Sequence, residues 1–345
     1  VSTATDTKRG AAQVPDAADR RPGRSGRRIV GNPIGIIVTR LLGAIPLLLA
    51  VTALTFVLIA LAPGDVAQAI LGPDATPAAY DELREQLGLN LPLHEQYWGW
   101  LTGVLHGDVG TSLYNGESVS HAITQRLPVT LSLMVGALIV SLVVGVALGM
   151  ASAVRRGVFG RAIDMFALIG FAVPSFWLGA QLIVLFAVQL GWLPATGYVP
   201  LGLDSGEWAK SLVLPVAALA FGGIAALAKQ SRDAFLDALA QPFVSVALAN
   251  GVSIGSILFR HVLKVASLRI TTILGLQALT LLGGTVVVEN VFSLPGLGTL
   301  ASNATSRGDV PMIQGIVLYY AFMVVAVNLL VDIVYAWLNP RVRAA

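Results

Sequence analysis

The chain has no cysteine in 345 residues. That excludes a disulfide framework and any thiolate metal site. Charge is scarce as well: 12% of residues are Asp, Glu, Lys or Arg, where soluble domains carry about a quarter. His94, His106, His121 and His261 are scattered, with no spacing that suits a metal ion. There is no Gly-x-x-x-x-Gly-Lys-Ser/Thr phosphate loop, so nucleotide binding by this chain is not expected. No Ser-His-Asp arrangement can be argued inside an apolar stretch, which sets a membrane protease aside. Apart from Asp164 and Asp332 toward their ends, the apolar stretches hold no Asp, Glu, Lys or His, the groups on which proton-coupled carriers depend.

What is abundant is hydrophobic sequence, 55% of the chain. Apolar runs occupy 36–62, 127–154, 163–192, 212–227, 270–288 and 312–338. A helix needs about 20 apolar residues to cross roughly 30 Å of hydrocarbon, so the expected fold is all-α with six transmembrane helices. Pro174-Ser175-Phe176-Trp177 interrupts the third run and predicts a kink, because proline removes a backbone donor. The fourth run is short and contains Pro215. Gly145 and Gly149 have the spacing that lets two helices approach closely, a weak signal in an Ala/Gly-rich span.

The polar segments set the orientation. Residues 1–33 read as a disordered basic tail, with Arg20, Arg21, Arg24, Arg27 and Arg28. The cluster reads first as a topology signal; anionic lipid is a fitting partner and nucleic acid is not expected. Residues 63–126 form a polar insertion rich in acids, with Arg84 and Arg126 as its bases. Helices are predicted over 76–87 and 94–105, with Tyr97, Trp98 and Trp100 as interfacial anchors. Arg155, Arg156, Arg161, Lys229, Arg232, Arg260, Lys264, Arg269, Arg341 and Arg343 fall on the same side as the tail. A charge at the centre of a span costs about 2.5–3.5 kcal/mol on insertion. Clean spans with this asymmetry place both termini in the cytoplasm and the insertion outside.

The loop over 229–269 carries the most specific pattern. Residues 241–249 read as a short helix stopped at Asn250-Gly251, a pair suited to a left-handed cap, and Ser253 can cap a second short helix. Two short helices joined at a glycine suit a knob that seats in a soluble partner's groove. The bland alternative is an ordinary interhelical loop.

This loop resembles the EAA loop of ABC-importer permeases in its peptide-permease form. Val244, Ala247, Ala249, Gly251 and His261 match in register, and Arg232 stands at the expected distance upstream. Phe243 stands where the family has Tyr, Ser245, Leu248 and Asn250 replace charged or polar positions, and Arg269 replaces a usual Pro. Further matches follow in order: Pro63-Gly64-Asp65, Leu87-Gly88-Leu89, Gln96-Tyr97, Gly107 to Ser112, Glu289 to Gly298, Arg307 to Pro311 and Asn339 to Arg343. Val66 and Gly308 depart from that pattern, and Glu289 reads on its own as a solvated outer-loop residue.

The resemblance covers about residue 35 to the end. It implies a type I permease fold in a bacterial plasma membrane, with 34–345 as the permease domain and a cytoplasmic coupling helix between spans 4 and 5. It implies a non-catalytic subunit of a di- or oligopeptide importer, with a second permease, two ABC ATPase subunits and an extracytoplasmic binding protein. ATP and magnesium would belong to the ATPases. Nickel, glutathione and haem importers share the framework; a stand-alone carrier or channel is the alternative of another class. Phe243, Ala247, Ala249, Gly251, Phe259, Arg260 and His261 are the expected coupling residues, with Phe243 and Phe259 as apolar anchors. No substrate-binding residue is indicated.

Overall fold

A computed structural model describes residues 33–61, 66–155 and 157–338. The basic tail up to residue 32, the Pro63-Gly64-Asp65 motif, Arg156 and the Asn339 to Arg343 motif lie outside the described residues. Thirteen helices and no strand occur among the described residues.

α1 (Pro33–Leu61) is a single apolar helix carrying Pro46. Only 11% of its most apolar window is buried, against 67% for the central helix α8 (Ser205–Leu239). The difference separates a peripheral helix from the core of the bundle. Three short helices follow α1: α2 (Val66–Leu71), α3 (Pro77–Gln86) and α4 (Leu93–Leu105). Thr76 caps α3 by accepting from the Ala79 amide, with Pro77 at the first position, as the sequence predicts. Tyr97 also makes a contact the sequence does not show. Its ring packs edge-on to Phe56 at 5.9 Å and its hydroxyl lies 3.0 Å from Thr52 Oγ1, so it docks α4 on α1. Trp98 remains exposed.

α5 (Val119–Val154) lies along α8, its main contact. Gly145 and Gly149 are buried in this contact; a Cβ on Gly149 would stand 2.7 Å from the Ala228 carbonyl. The small-residue spacing is therefore a packing device here.

The third apolar run is more than kinked. α6 (Val158–Ala172) and α7 (Ser175–Leu182, continuing as a wider turn over Ile183–Gln189) meet at 96°. Pro174 cannot donate to the preceding turn and pushes Val173 into the extended region, φ −84° and ψ 117°. Five helices are long and apolar enough to cross a membrane, and this bent pair supplies the sixth candidate.

α8 corrects the expectation of a short fourth span. Asp204 starts it by accepting from the Gly206 and Glu207 amides, and it runs past Leu227 through a polar stretch to Leu239. Those bonds, that of Glu207 first, hold the Asp204 carboxyl below the ordinary carboxylate range. After α9 (Pro242–Ala249), the helix α10 (Ile254–Ile257) passes through a wide turn at Leu258–Val262 into α11 (Leu263–Val291). α12 (Leu297–Arg307) and α13 (Val310–Leu338) complete the bundle.

Candidate functional site

α9 is the knob expected from the sequence. Pro242 fixes its first turn, and its end is closed by two bonds: Gly251 N donates to the Leu248 carbonyl at 3.0 Å and Val252 N to the Ala247 carbonyl at 3.1 Å. This is the Schellman arrangement, and Gly251 supplies its left-handed residue at φ +77°. Ser253 then caps α10 through the Ser256 amide, as expected.

The second helix of the knob is not the separate short element expected. α10 is the head of a continuous helix to Val291. The physical reason lies in its inner face: Ile257, Leu258, Val262 and Ala266 are buried with Phe235, Ala238 and Val244, so nothing releases the helix from the bundle after one turn. α9 thus packs as a short crosspiece on the ends of α8 and α11.

The predicted site residues divide by environment. Phe243 is half-buried in that cluster and meets the His261 ring edge-on, with centroids 6.5 Å apart. Ala247 also packs inward, whereas Ala249, Gly251, Arg260 and His261 are exposed. Phe259 is 64% exposed. Of the two expected anchors, Phe243 is therefore spent on the protein itself and Phe259 alone is offered outward. Val246, Leu248 and Ile254 share the exposed apolar surface with Phe259 and were not among the expected residues. Helical phase could have found Val246, which points away when Val244 and Ala247 face inward; Leu248, four residues after Val244, had no such signal.

Ion pairs fasten the helices beside this knob. Asp164 on α6 accepts from Lys229 at 2.8 Å and from Arg232 at 3.2 Å, both on α8, and Arg269 on α11 pairs with Asp237 at 2.8 Å. Arg232 is thus a positioning residue between α6 and α8. Pairing a helix-edge acid with a loop arginine 68 positions away left no sequence signal.

At the opposite end, two motifs noted in the sequence are contact points. Glu289 is fully buried, a correction to its reading as a solvated loop residue and to the expectation of spans without buried acids. α11 extends past Val288 and carries Glu289 into the core, where it accepts from Thr130 Oγ1 at 2.7 Å and Thr299 N at 3.1 Å. Gly296 and Gly298 have no Cβ where one would strike this carboxylate. Asp309, also buried, accepts from Ser112 Oγ at 2.5 Å and Leu113 N at 3.2 Å. That joins the Gly107 to Ser112 motif to the Arg307 to Pro311 motif. Among the described residues no group of three His, Cys, Asp or Glu could hold a metal ion.

This architecture has counterparts. The family described as "Binding-protein-dependent transport system inner membrane component" matches residues 125–344, and its N-terminal companion matches 34–134. A putative peptide transport system permease protein of Brucella abortus (strain 2308) is 41% identical over 89% of this chain and 98% of its own length. A probable peptide ABC transporter permease protein of Sinorhizobium fredii is 39% identical over 89% and 98%. The glutathione transport system permease protein GsiC of Salmonella typhi is 38% identical over 90% and 99%. Among solved structures, a chain of the MetNI methionine ABC transporter in inward-facing conformations is similar in fold. It has a TM-score of 0.50 and 16% identity, covering 64% of this chain and 96% of that one.

Proposed function

We propose a role from one premise: the chain belongs to the family of binding-protein-dependent transport system inner membrane components. It is a multi-pass membrane permease and acts as one half of the pathway of an ATP-driven importer. A second, similar permease supplies the other half. Two ATPase subunits, holding ATP and magnesium, sit beneath, and an extracytoplasmic binding protein delivers cargo. The chain itself carries no catalytic group and no cofactor. Peptides are the proposed cargo, following relatives named for peptide and glutathione transport.

The observation that carries this reading is the crosspiece α9 with exposed Val246 and Leu248, followed by exposed Ile254 at the head of α10 and Phe259 in the wide turn after it. A soluble knob has no reason to expose such residues unless a partner covers them. α9 sits at the end of the bundle that also holds Lys229, Arg232 and Arg269. An excess of bases marks the cytoplasmic side, so α9 faces the compartment of the ATPases and both termini lie there. The acidic insertion then faces outward and receives the binding protein. The Asp164, Lys229 and Arg232 pairs hold α6 and α8 together, so a push on α9 moves them as a unit.

The test is reconstitution in liposomes. The chain alone is expected to take up no peptide, and the assembly with its permease partner, ATPases and binding protein to do so only with ATP. Uptake by the isolated chain would overturn the reading.

A further inference from the structure

The break between α6 and α7 lies inside the membrane. Asp164, ion-paired to Lys229 and Arg232, marks the cytoplasmic edge of α6. Val173 follows it by nine residues, a rise of at most about 14 Å, which ends near the middle of a hydrocarbon core roughly 30 Å thick. There the chain turns by 96°. The turn leaves backbone groups open. The carbonyls of Gly170, Phe171, Ala172 and Val173 accept no hydrogen bond, and the amides of Ser175, Phe176 and Trp177 donate none, among the described residues. Pro174 has no N–H to give Gly170, and the extended backbone at Val173 and Pro174 interrupts the helical ladder on both sides.

Lipid chains cannot serve such groups. Irregular backbone at membrane depth persists only where protein buries it or a water-filled space adjoins it. A cavity of about 370 Å³ between this break, α8 and α11 meets one side, with Gly170, Phe171, Val173 and Ser175 in its wall. Water held there reaches that side alone. Phe176 and Trp177 are not in that wall, and they are 49% and 51% exposed at the protein surface. The Trp177 indole N–H is a second kind of polar group at the same depth without a partner among the described residues. A lipid-facing tryptophan belongs at the membrane surface, where its N–H finds water or headgroups, whereas Trp177 lies in the first turn after the break. The exposed face of α13, with Phe322, Leu330 and Ile333, belongs to an unbroken helix that lipid can cover.

We infer that the face of the α6–α7 break centred on Phe176 and Trp177 is the surface on which the second permease docks. The inference rests on the reading of the chain as one half of a two-permease pathway, and adds which side of the chain the other half covers. The occupant has to bring hydrogen-bond acceptors for the Trp177 indole and for the amides of Phe176 and Trp177, together with apolar surface for the two rings. A second multi-span chain offers both at mid-membrane depth. Lipid chains carry no acceptor, and ATPases beneath the membrane or a binding protein outside it do not reach this level. Large rings with a polar edge are also what the buried centres of protein interfaces favour.

The test uses the complete importer, purified and held in nanodiscs, with photoreactive benzoylphenylalanine in place of Phe176. Illumination is expected to join the chain to the second permease, identified by mass spectrometry, in a yield several-fold above that of the same probe in place of Leu330 on α13. Adducts with lipid alone at position 176, or equal yields at the two positions, would overturn the docking face while leaving the importer reading intact. If no second permease co-purifies with the wild-type chain, both readings fall. If the probe at Phe176 prevents assembly, the same probe in place of Trp177 decides by the same outcomes.

Discussion

Thr130 and Glu289 stand 159 positions apart and share a 2.7 Å hydrogen bond at full burial. Thr130 donates to the carboxylate and accepts from the Leu297 amide at 2.9 Å, so one hydroxyl ties α5 to α11 and to the first turn of α12. Removing it strands a buried acceptor and a buried donor. Thr130→Val is therefore expected to destabilise the protein by about 2 kcal/mol, while Thr130→Ser restores most of it. Thermal unfolding of the two variants in nanodiscs measures this; equal midpoints for Val and Ser would show that the hydroxyl contributes nothing.

Much of this fold is legible in the order of residues alone. The apolar runs, the insertion helices, the Gly251 stop and the Ser253 cap follow from local rules that need no tertiary knowledge. What escaped was set by packing. α8 outlasts its apolar run because Ser231, Phe235 and Ala238 bury a face of the polar stretch against neighbours. α10 reads as a short helix only because Ser253 announces a start; its continuation is decided by Ile257 and Val262 meeting α8 and α9. Glu289 reads as solvated because the partners that keep it buried, Thr130 and Thr299, lie on other elements.

The orientation is open to a direct thiol test. Ser112 is a poor reporter because it is buried on Asp309, whereas Asn115 beside it is exposed. In intact cells Asn115→Cys should react with a membrane-impermeant maleimide, and Ser256→Cys only after the membrane is opened. The reverse pattern would invert the topology and remove α9 from the side of the ATPases.

Gly251 sits at φ +77°, with nothing within 4 Å of where a Cβ would stand, so only backbone strain opposes a substitution there. A β-branched residue in that region is strained by roughly 1–3 kcal/mol. Because α10 is anchored in the bundle, the strain should be relieved by α9, which would swing or fray. Gly251→Val is expected to leave expression and insertion intact but to reduce ATPase co-purification and peptide uptake together. Gly251→Asn, a residue that tolerates the left-handed region, should retain most of both.

Phe243 on α9 and Phe259 in the turn after α10 separate the two ways this surface can fail. Phe243 is half-buried against the bundle, so Phe243→Ala removes packing inside the chain. Phe259 is 64% exposed and is not part of the buried cluster that holds Phe243. Phe259→Ala should therefore leave thermal stability within about 0.5 kcal/mol of wild type, as surface changes do. If an ATPase groove covers Phe259, the same change forfeits about 1.5–3 kcal/mol of burial in the complex, a loss of roughly 10- to 150-fold in affinity. Phe243→Ala should show the opposite balance, with a lower unfolding midpoint and an affinity loss that cooling partly restores. Binding of the purified ATPase to nanodisc-held variants, set beside their unfolding midpoints, measures both quantities. An unchanged affinity for Phe259→Ala would mean that this exposed ring is not part of the coupling surface, and that α9 must engage through Val246 and Leu248 alone.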